Sequence, residues 1–180
     1  IMSNDIFVAD LNTSTISNLT NDNTTSRYSA EWSPDGAKIL YRQATSYRIM
    51  SPDGSGKLTV PNIFAPGSGV GSQPKWSPDS TKIVQFSGTS MMINTISSNV
   101  TNTYSLGGSI TTTIVSQYEW LSNTQLAFLG RISTRDQLFT INSDNTSRSQ
   151  KTTDSSGTVT RSNLSVSPDK TRITYSTTTN

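Results

Sequence analysis

The sequence predicts an all-β fold, a β-propeller, and three observations carry that reading. A five-residue turn motif recurs along the 180-residue chain at a period of about 44 residues. Each period holds short segments whose apolar residues alternate along a strand rather than recurring at helical spacing. Ser and Thr together make about a third of the chain while Lys and Glu are scarce, which favours strands and turns over helices.

The motif is Trp32-Ser33-Pro34-Asp35-Gly36. It returns as Trp76-Ser77-Pro78-Asp79-Ser80, weakened as Trp120-Leu121-Ser122-Asn123-Thr124, and finally as Val166-Ser167-Pro168-Asp169-Lys170. Ser-Pro-Asp-Gly is a turn for stated reasons: Pro presets its own φ, Asp and Ser bond to nearby backbone, and Gly accepts positive φ. An alternating segment precedes each turn and a second follows it, as in 38–41, 82–86, 126–128 and 172–175, so each motif marks a β-hairpin. Third strands are expected at 48–50, 91–93 and 137–141, and weaker fourth strands near 58–59, 103–106 and 150–152. Four short strands in a unit of this length form one propeller blade.

The chain reads as a single domain, 1–180, with blade pieces at 27–63, 71–108 and 115–154. Residues 1–20 match third and fourth strands, and 160–180 match first and second strands. Together they are expected to complete one split blade, giving a four-bladed ring closed within the chain. The alternatives are an arc of a larger propeller, or two chains sharing an eight-bladed ring. The opening Ile1-Met2 is not a usual translation start and reads as a processed or trimmed segment.

Composition also excludes. With no His, Ser-His-Asp catalysis and most zinc or iron sites drop out, and with no Cys there is neither thiolate nor disulfide. No metal site, cofactor or catalytic residue is expected. Net charge is +2 without a basic cluster, against a nucleic-acid surface. No apolar run suffices for a membrane span.

The Trp-Ser-Pro-Asp-Gly turn followed by Lys38-Ile39-Leu40-Tyr41 resembles the PD40 repeat, the WD40-like motif of the TolB propeller family. The likeness spans nearly the whole chain. The copies at 32–41 and 76–86 fit well, although Gln85 stands where an aromatic is expected. The copy at 166–175 has Val for Trp, and the copy at 120–128 has lost Pro and Asp. The resemblance implies either a propeller that binds peptide segments at its channel mouth, as in periplasmic members, or one that gates a separate hydrolase domain.

Candidate site residues come from repeat position. Trp32, Trp76 and Trp120 are expected to pack between blades, and Asp35, Asp79 and Asp169 to cap their turns. On the first strand, the residue before the Trp position is Glu31, Lys75, Glu119 and Ser165. Two residues further back come Ser29, Gln73, Gln117 and Asn163. All eight are polar and share the face opposite the Trp, so two polar rings facing the channel are expected. Arg27, Tyr28, Phe64, Tyr118, Arg131, Arg135 and Arg161 are placed by repeat position near one loop face, which also carries the long connection 61–72. Six Asn-x-Ser/Thr triplets begin at Asn12, Asn18, Asn23, Asn99, Asn145 and Asn163, and with the Thr-rich surface they lean towards a periplasmic or extracellular protein.

The expectation is therefore a non-enzymatic protein- or peptide-binding or scaffolding propeller, with self-assembly possible. A structural subunit of a surface layer or filament is one alternative. The propeller of a carbohydrate-active or peptidase enzyme is the other, since Glu31 and Glu119 are the only two Glu residues and could pair across the channel.

Overall fold

The computed structural model describes residues 4–21, 25–64, 72–154 and 157–179, with backbone only for 113–116. Every regular element among them is a strand. No described helix is long and apolar enough to cross a membrane.

Strands β1 (Phe7–Asp10) and β2 (Thr15–Asn18) form a two-stranded antiparallel sheet. The first complete blade is β3 (Arg27–Trp32), β4 (Ile39–Gln43), β5 (Ser46–Met50) and β6 (Leu58–Phe64), hydrogen-bonded in that order. The second is β7 (Lys75–Trp76), β8 (Lys82–Ser87), β9 (Ser90–Thr95) and β10 (Val100–Ser105). The third is β11 (Ile110–Trp120), β12 (Gln125–Ile132) and β13 (Arg135–Asn142), with β14 (Ser149–Gln150) on β13. The hairpin of β15 (Val159–Val166) and β16 (Ile173–Thr179) follows.

The latch expected between 1–20 and 160–180 is not among these pairings. β1–β2 stands as its own sheet, and β15 joins the sheet of the third blade through a parallel bridge, Arg135 to Val159. Each half-blade buries its apolar face on its neighbour in sequence. Ile6 and Leu19 pack with Ile39, Tyr41 and Met50, while Leu164 packs with Ala127, Leu129 and Leu138. Local docking of a short hairpin costs little loop-closure entropy, whereas bringing the two ends of the chain together costs more. The described structure is three blades flanked by two separate half-blades.

The repeated turn explains why the blades are regular. Ser77 Oγ donates to Asp79 Oδ1 (2.6 Å) and accepts from the amide of Lys82 (2.9 Å). Ser33 with Asp35 and Lys38, and Ser167 with Asp169 and Arg172, repeat this arrangement. The residue after each Asp takes positive φ: Gly36 at 71°, Ser80 at 61° and Lys170 at 61°. In the eroded copy Ser122 Oγ alone receives the amides of Thr124 and Gln125.

These bonds hold the carboxyls of Asp35 and Asp169 below their ordinary range, led in each case by the bond from the preceding serine hydroxyl. A depressed carboxyl adds stability that is present above its unfolded-state value and is lost as pH falls through the folded one. Unfolding stability is accordingly expected to fall below about pH 4. Ser77→Ala is expected to cost about 1 kcal/mol in urea unfolding, because it strips one partner from a buried turn.

The core lies between blades. Phe86 of β8 sits 4.9 Å from Tyr118 of β11 and 5.0 Å from Phe128 of β12, which stacks 5.3 Å from Phe139 of β13. Val84, Met91, Ile93, Leu106, Ile110, Trp120, Leu126 and Ile141 complete this cluster. A second, built on Leu40, Tyr47, Ile49, Trp76 and Ile83, joins the first blade to the second.

Candidate functional site

The inner strands bring three charged side chains, Glu31, Lys75 and Glu119, to one place. Lys75 Nζ is ion-paired with Glu119 Oε1 across the junction of the second and third blades, and it lies 5.4 Å from the centre of the Tyr118 ring. Burial pushes the Glu31 carboxyl above its ordinary range, with Lys75 pulling it back and Glu119 adding to the rise. These three groups line a cavity of about 520 Å³, together with Gln73 and Lys170. Trp76, Trp120, Pro34, Pro74 and Pro78 supply its apolar walls. The scaffold beneath it is firm. Tyr118 OH donates to the carbonyl of Gln73, and Trp120 Nε1 donates to that of Lys75 at 3.2 Å.

The two sets of inner-strand residues are placed differently. Glu31, Lys75 and Glu119 converge on the cavity, and Ser165 is not among its lining residues. Of the positions further back, Gln73 alone lines it. Ser29 and Asn163 have φ of 53° and 56° and sit where β3–β4 and β15–β16 slip register. A bulge inserts a residue and breaks strict alternation, so strand spacing no longer assigns these two side chains to the Trp-opposed face. Gln117 is committed elsewhere: its Oε1 accepts from the amide of Leu164 at 2.8 Å, tying the C-terminal hairpin to the third blade.

Repeat position misplaced three of the loop-face residues. Arg27 is buried and pairs with Asp5 at 3.2 Å. Arg161 is buried, donates to the carbonyl of Asp136 and pairs with Asp154 at 2.6 Å. Tyr118 is buried in the aromatic stack. They lie near strand ends in sequence, but their polar atoms satisfy neighbours inside the fold. Arg131 keeps a half-exposed side chain bonded at 2.6 Å to buried Asp136, and Arg135 opens β13 beside Val159. Tyr28 and Phe64 are exposed, with the Arg42 guanidinium 5.5 Å over the Tyr28 ring. Residues 65–71 of the long connection, and Asn23, lie outside the described residues.

Trp76 and Trp120 are 6% and 3% exposed, as expected of residues packed between blades, but Trp32 is 47% exposed. Gln85 is the buried polar residue whose role the sequence did not reveal. Its Nε2 donates to the carbonyls of Phe64 and Ser72, both at 2.6 Å, and its Oε1 accepts from the amide of Phe64 at 3.0 Å. The signal was present: a polar residue at an aromatic repeat position marks an environment rich in backbone groups.

No family profile matches the chain. No curated protein matches it either. Solved structures share its fold. An oligogalacturonate lyase in complex with manganese superposes with a TM-score of 0.65 at 16% identity, covering 97% of this chain and 53% of that one. The C-terminal WD40 domain of Sif2 gives 0.59 at 14%, covering 92% and 46%. Puromycin hydrolase gives 0.57 at 12%, covering 90% and 26%. The chain spans about half the length of the first of these. It is an all-β propeller, with WD40-like relatives in fold.

The expectation of a non-enzymatic binding or scaffolding propeller is corrected by these likenesses, since two of the three structures are enzymes by name. Lacking His and Cys removes particular chemistries, but carboxyl and ammonium groups remain able to bind and move protons. Manganese, named for the lyase, does not fit the site described. Two carboxylates with an ammonium group between them are a poor cation cage, and no three His, Cys, Asp or Glu converge among the described residues.

Proposed function

We propose that the chain is the propeller of a carbohydrate-active enzyme, and that the cavity around Glu31, Lys75 and Glu119 holds an acidic sugar. The cavity's lining carries this reading: converging carboxyl and ammonium groups set between Trp and Pro walls. Apolar walls suit the faces of a sugar ring, and a few placed polar groups fix its orientation. Lys75 and Lys170 would meet a uronate carboxylate, while Glu31 and Gln73 would bond hydroxyls. The likeness in fold to an oligogalacturonate lyase supports the choice of an acidic sugar over a neutral one. We further propose that the repeat is of the PD40 type and that the protein works outside the cytoplasm, which the Ser-Pro-Asp turns and the Asn-x-Ser/Thr triplets respectively support.

Calorimetric titration with short galacturonate oligomers, against neutral glucose oligomers of equal length, tests the ligand. Binding of the acidic series alone is expected, weakened about tenfold by Lys75→Met, the loss of one charge-assisted hydrogen bond. Equal binding of both series, or of neither, would overturn it. The pH dependence follows from Glu31. Its raised carboxyl gains a proton before an ordinary glutamate does as pH falls, which removes a negative charge from the cavity and adds a donor. Affinity is therefore expected to rise from pH 7 towards pH 5, where a uronate is still ionised. Glu31→Gln should flatten that profile.

A further inference from the structure

We propose that the ligand is a chain of uronate units, running from the cavity around Glu31, Lys75 and Glu119 into a second cavity beside the third blade. This rests on the acidic-sugar reading of the first cavity. The second cavity, of about 440 Å³, lies between β12 and β13 on one side and the turn joining β15 to β16 on the other. Lys170 lines both cavities. Trp120 walls the first and its neighbour Leu121 the second, so the two spaces are one residue of chain apart.

The lining of the second cavity suits a uronate. Lys151 and Lys170 bring two ammonium groups to it, and among the described residues no carboxylate lines it. Neither ammonium has a carboxylate partner among the described residues. Gln125 and Thr140 offer an amide and a hydroxyl, while Leu138 and Ile173 supply an apolar floor for a ring face. Lys151 springs from anchored backbone. Its amide donates to the Leu138 carbonyl at 2.7 Å, and the Leu138 amide donates to Thr152 Oγ1 at 2.9 Å.

Charge sets the direction of the bound chain. The cavity between the turns of the first and second blades is lined by Asp35 and Asp79 and, among the described residues, by no Lys or Arg. The one between the N-terminal half-blade and the first blade carries Asp10 and Asp53, again with no basic residue described. A polyanion leaving the first cavity is repelled along those two and drawn along the third.

Backbone conformation singles out Lys170 independently. The residue after the turn Asp takes positive φ, where glycine is relaxed, and Gly36 stands there in the first copy. Every other described non-glycine residue at positive φ is Ser, Asn or Ala, so Lys170, at 61°, is the one long side chain held there. The turn itself is closed by Ser167 and Asp169, and the Lys170 ammonium takes no part in it. Strained residues of this kind cluster where a ligand is held.

Calorimetric titration with galacturonic acid and with its dimer, trimer and tetramer tests the proposal. The dissociation constant is expected to fall about tenfold from the monomer to the longer oligomers, the worth of one further charge-assisted hydrogen bond. Lys151→Met is expected to remove most of that gain while the monomer binds as it does to the parent chain. Lys170→Gly gives the turn its relaxed residue, so the fold is kept, and tetramer binding is expected to weaken by about tenfold or more. An affinity independent of length overturns the proposal. So does a gain with length that Lys151→Met leaves intact, or a Lys170→Gly variant that binds the tetramer as the parent does. In each of these cases monomer binding leaves the acidic-sugar reading standing. Failure of the monomer and of every oligomer to bind overturns that reading, and this extension with it.

Discussion

Replacing Phe128 with alanine is expected to cost about 3–5 kcal/mol, a large part of the stability a domain of this size holds. Phe128 is fully buried at the centre of a stack that runs from Phe86 and Tyr118 to Phe139. The stack crosses from the second blade to the third, so truncation removes contacts that hold blades together rather than contacts within one sheet. The cavity left cannot collapse readily. It is walled by strands in register on both sides, Phe128 facing Phe139 in one pairing and Tyr118 in the other. Urea unfolding followed by the fluorescence of the buried Trp76 and Trp120 measures the loss. Phe128→Leu should cost markedly less. A loss below about 1 kcal/mol for Phe128→Ala would show that the blades are held together elsewhere.

Gln85→Leu is expected to cost about 3 kcal/mol, although it restores an apolar residue at a repeat position where an aromatic is expected. The amide makes three bonds to backbone groups of Phe64 and Ser72, which bracket the connection from the first blade to the second. Leu would leave those groups without a partner, and leaving a buried polar group unpaired costs more than the bond itself was worth. Ser72 stays partly anchored, because its amide and hydroxyl also bond the carbonyl of Phe86. Faster exchange is therefore expected at the Phe64 amide than at Ser72. If Gln85→Leu were as stable as the parent chain, the clamp would have no energetic role, and its aromatic-position origin would be the better account of the site.

The cavity and the turns call for separate measurements because they respond oppositely to acid. Protonating the turn aspartates loosens the fold, whereas protonating Glu31 removes a negative charge from the cavity and favours an anionic ligand. The two effects separate by pH. The raised carboxyl of Glu31 titrates first on acidification, and the depressed aspartates follow.

The sequence by itself determined the propeller, the period of the blades and the Ser-Pro-Asp turns, down to the role of each Asp. It also marked Glu31, Lys75 and Glu119 as inner-strand neighbours. These are matters of spacing within a few residues or of one repeat length, and the chain writes them locally. Tertiary structure alone decided four things. Bulges at Ser29 and Asn163 broke the alternation on which the second polar ring rested. Arg27, Tyr118 and Arg161 turned inward to Asp5, Gln73 and Asp136, partners distant in sequence. Gln85 proved to be a clamp, and Trp32 stood exposed while its repeat mates were buried. Each depends on which strand lies alongside. A residue's repeat position states which neighbour it is built to meet, and only packing across the whole chain decides whether that neighbour is there.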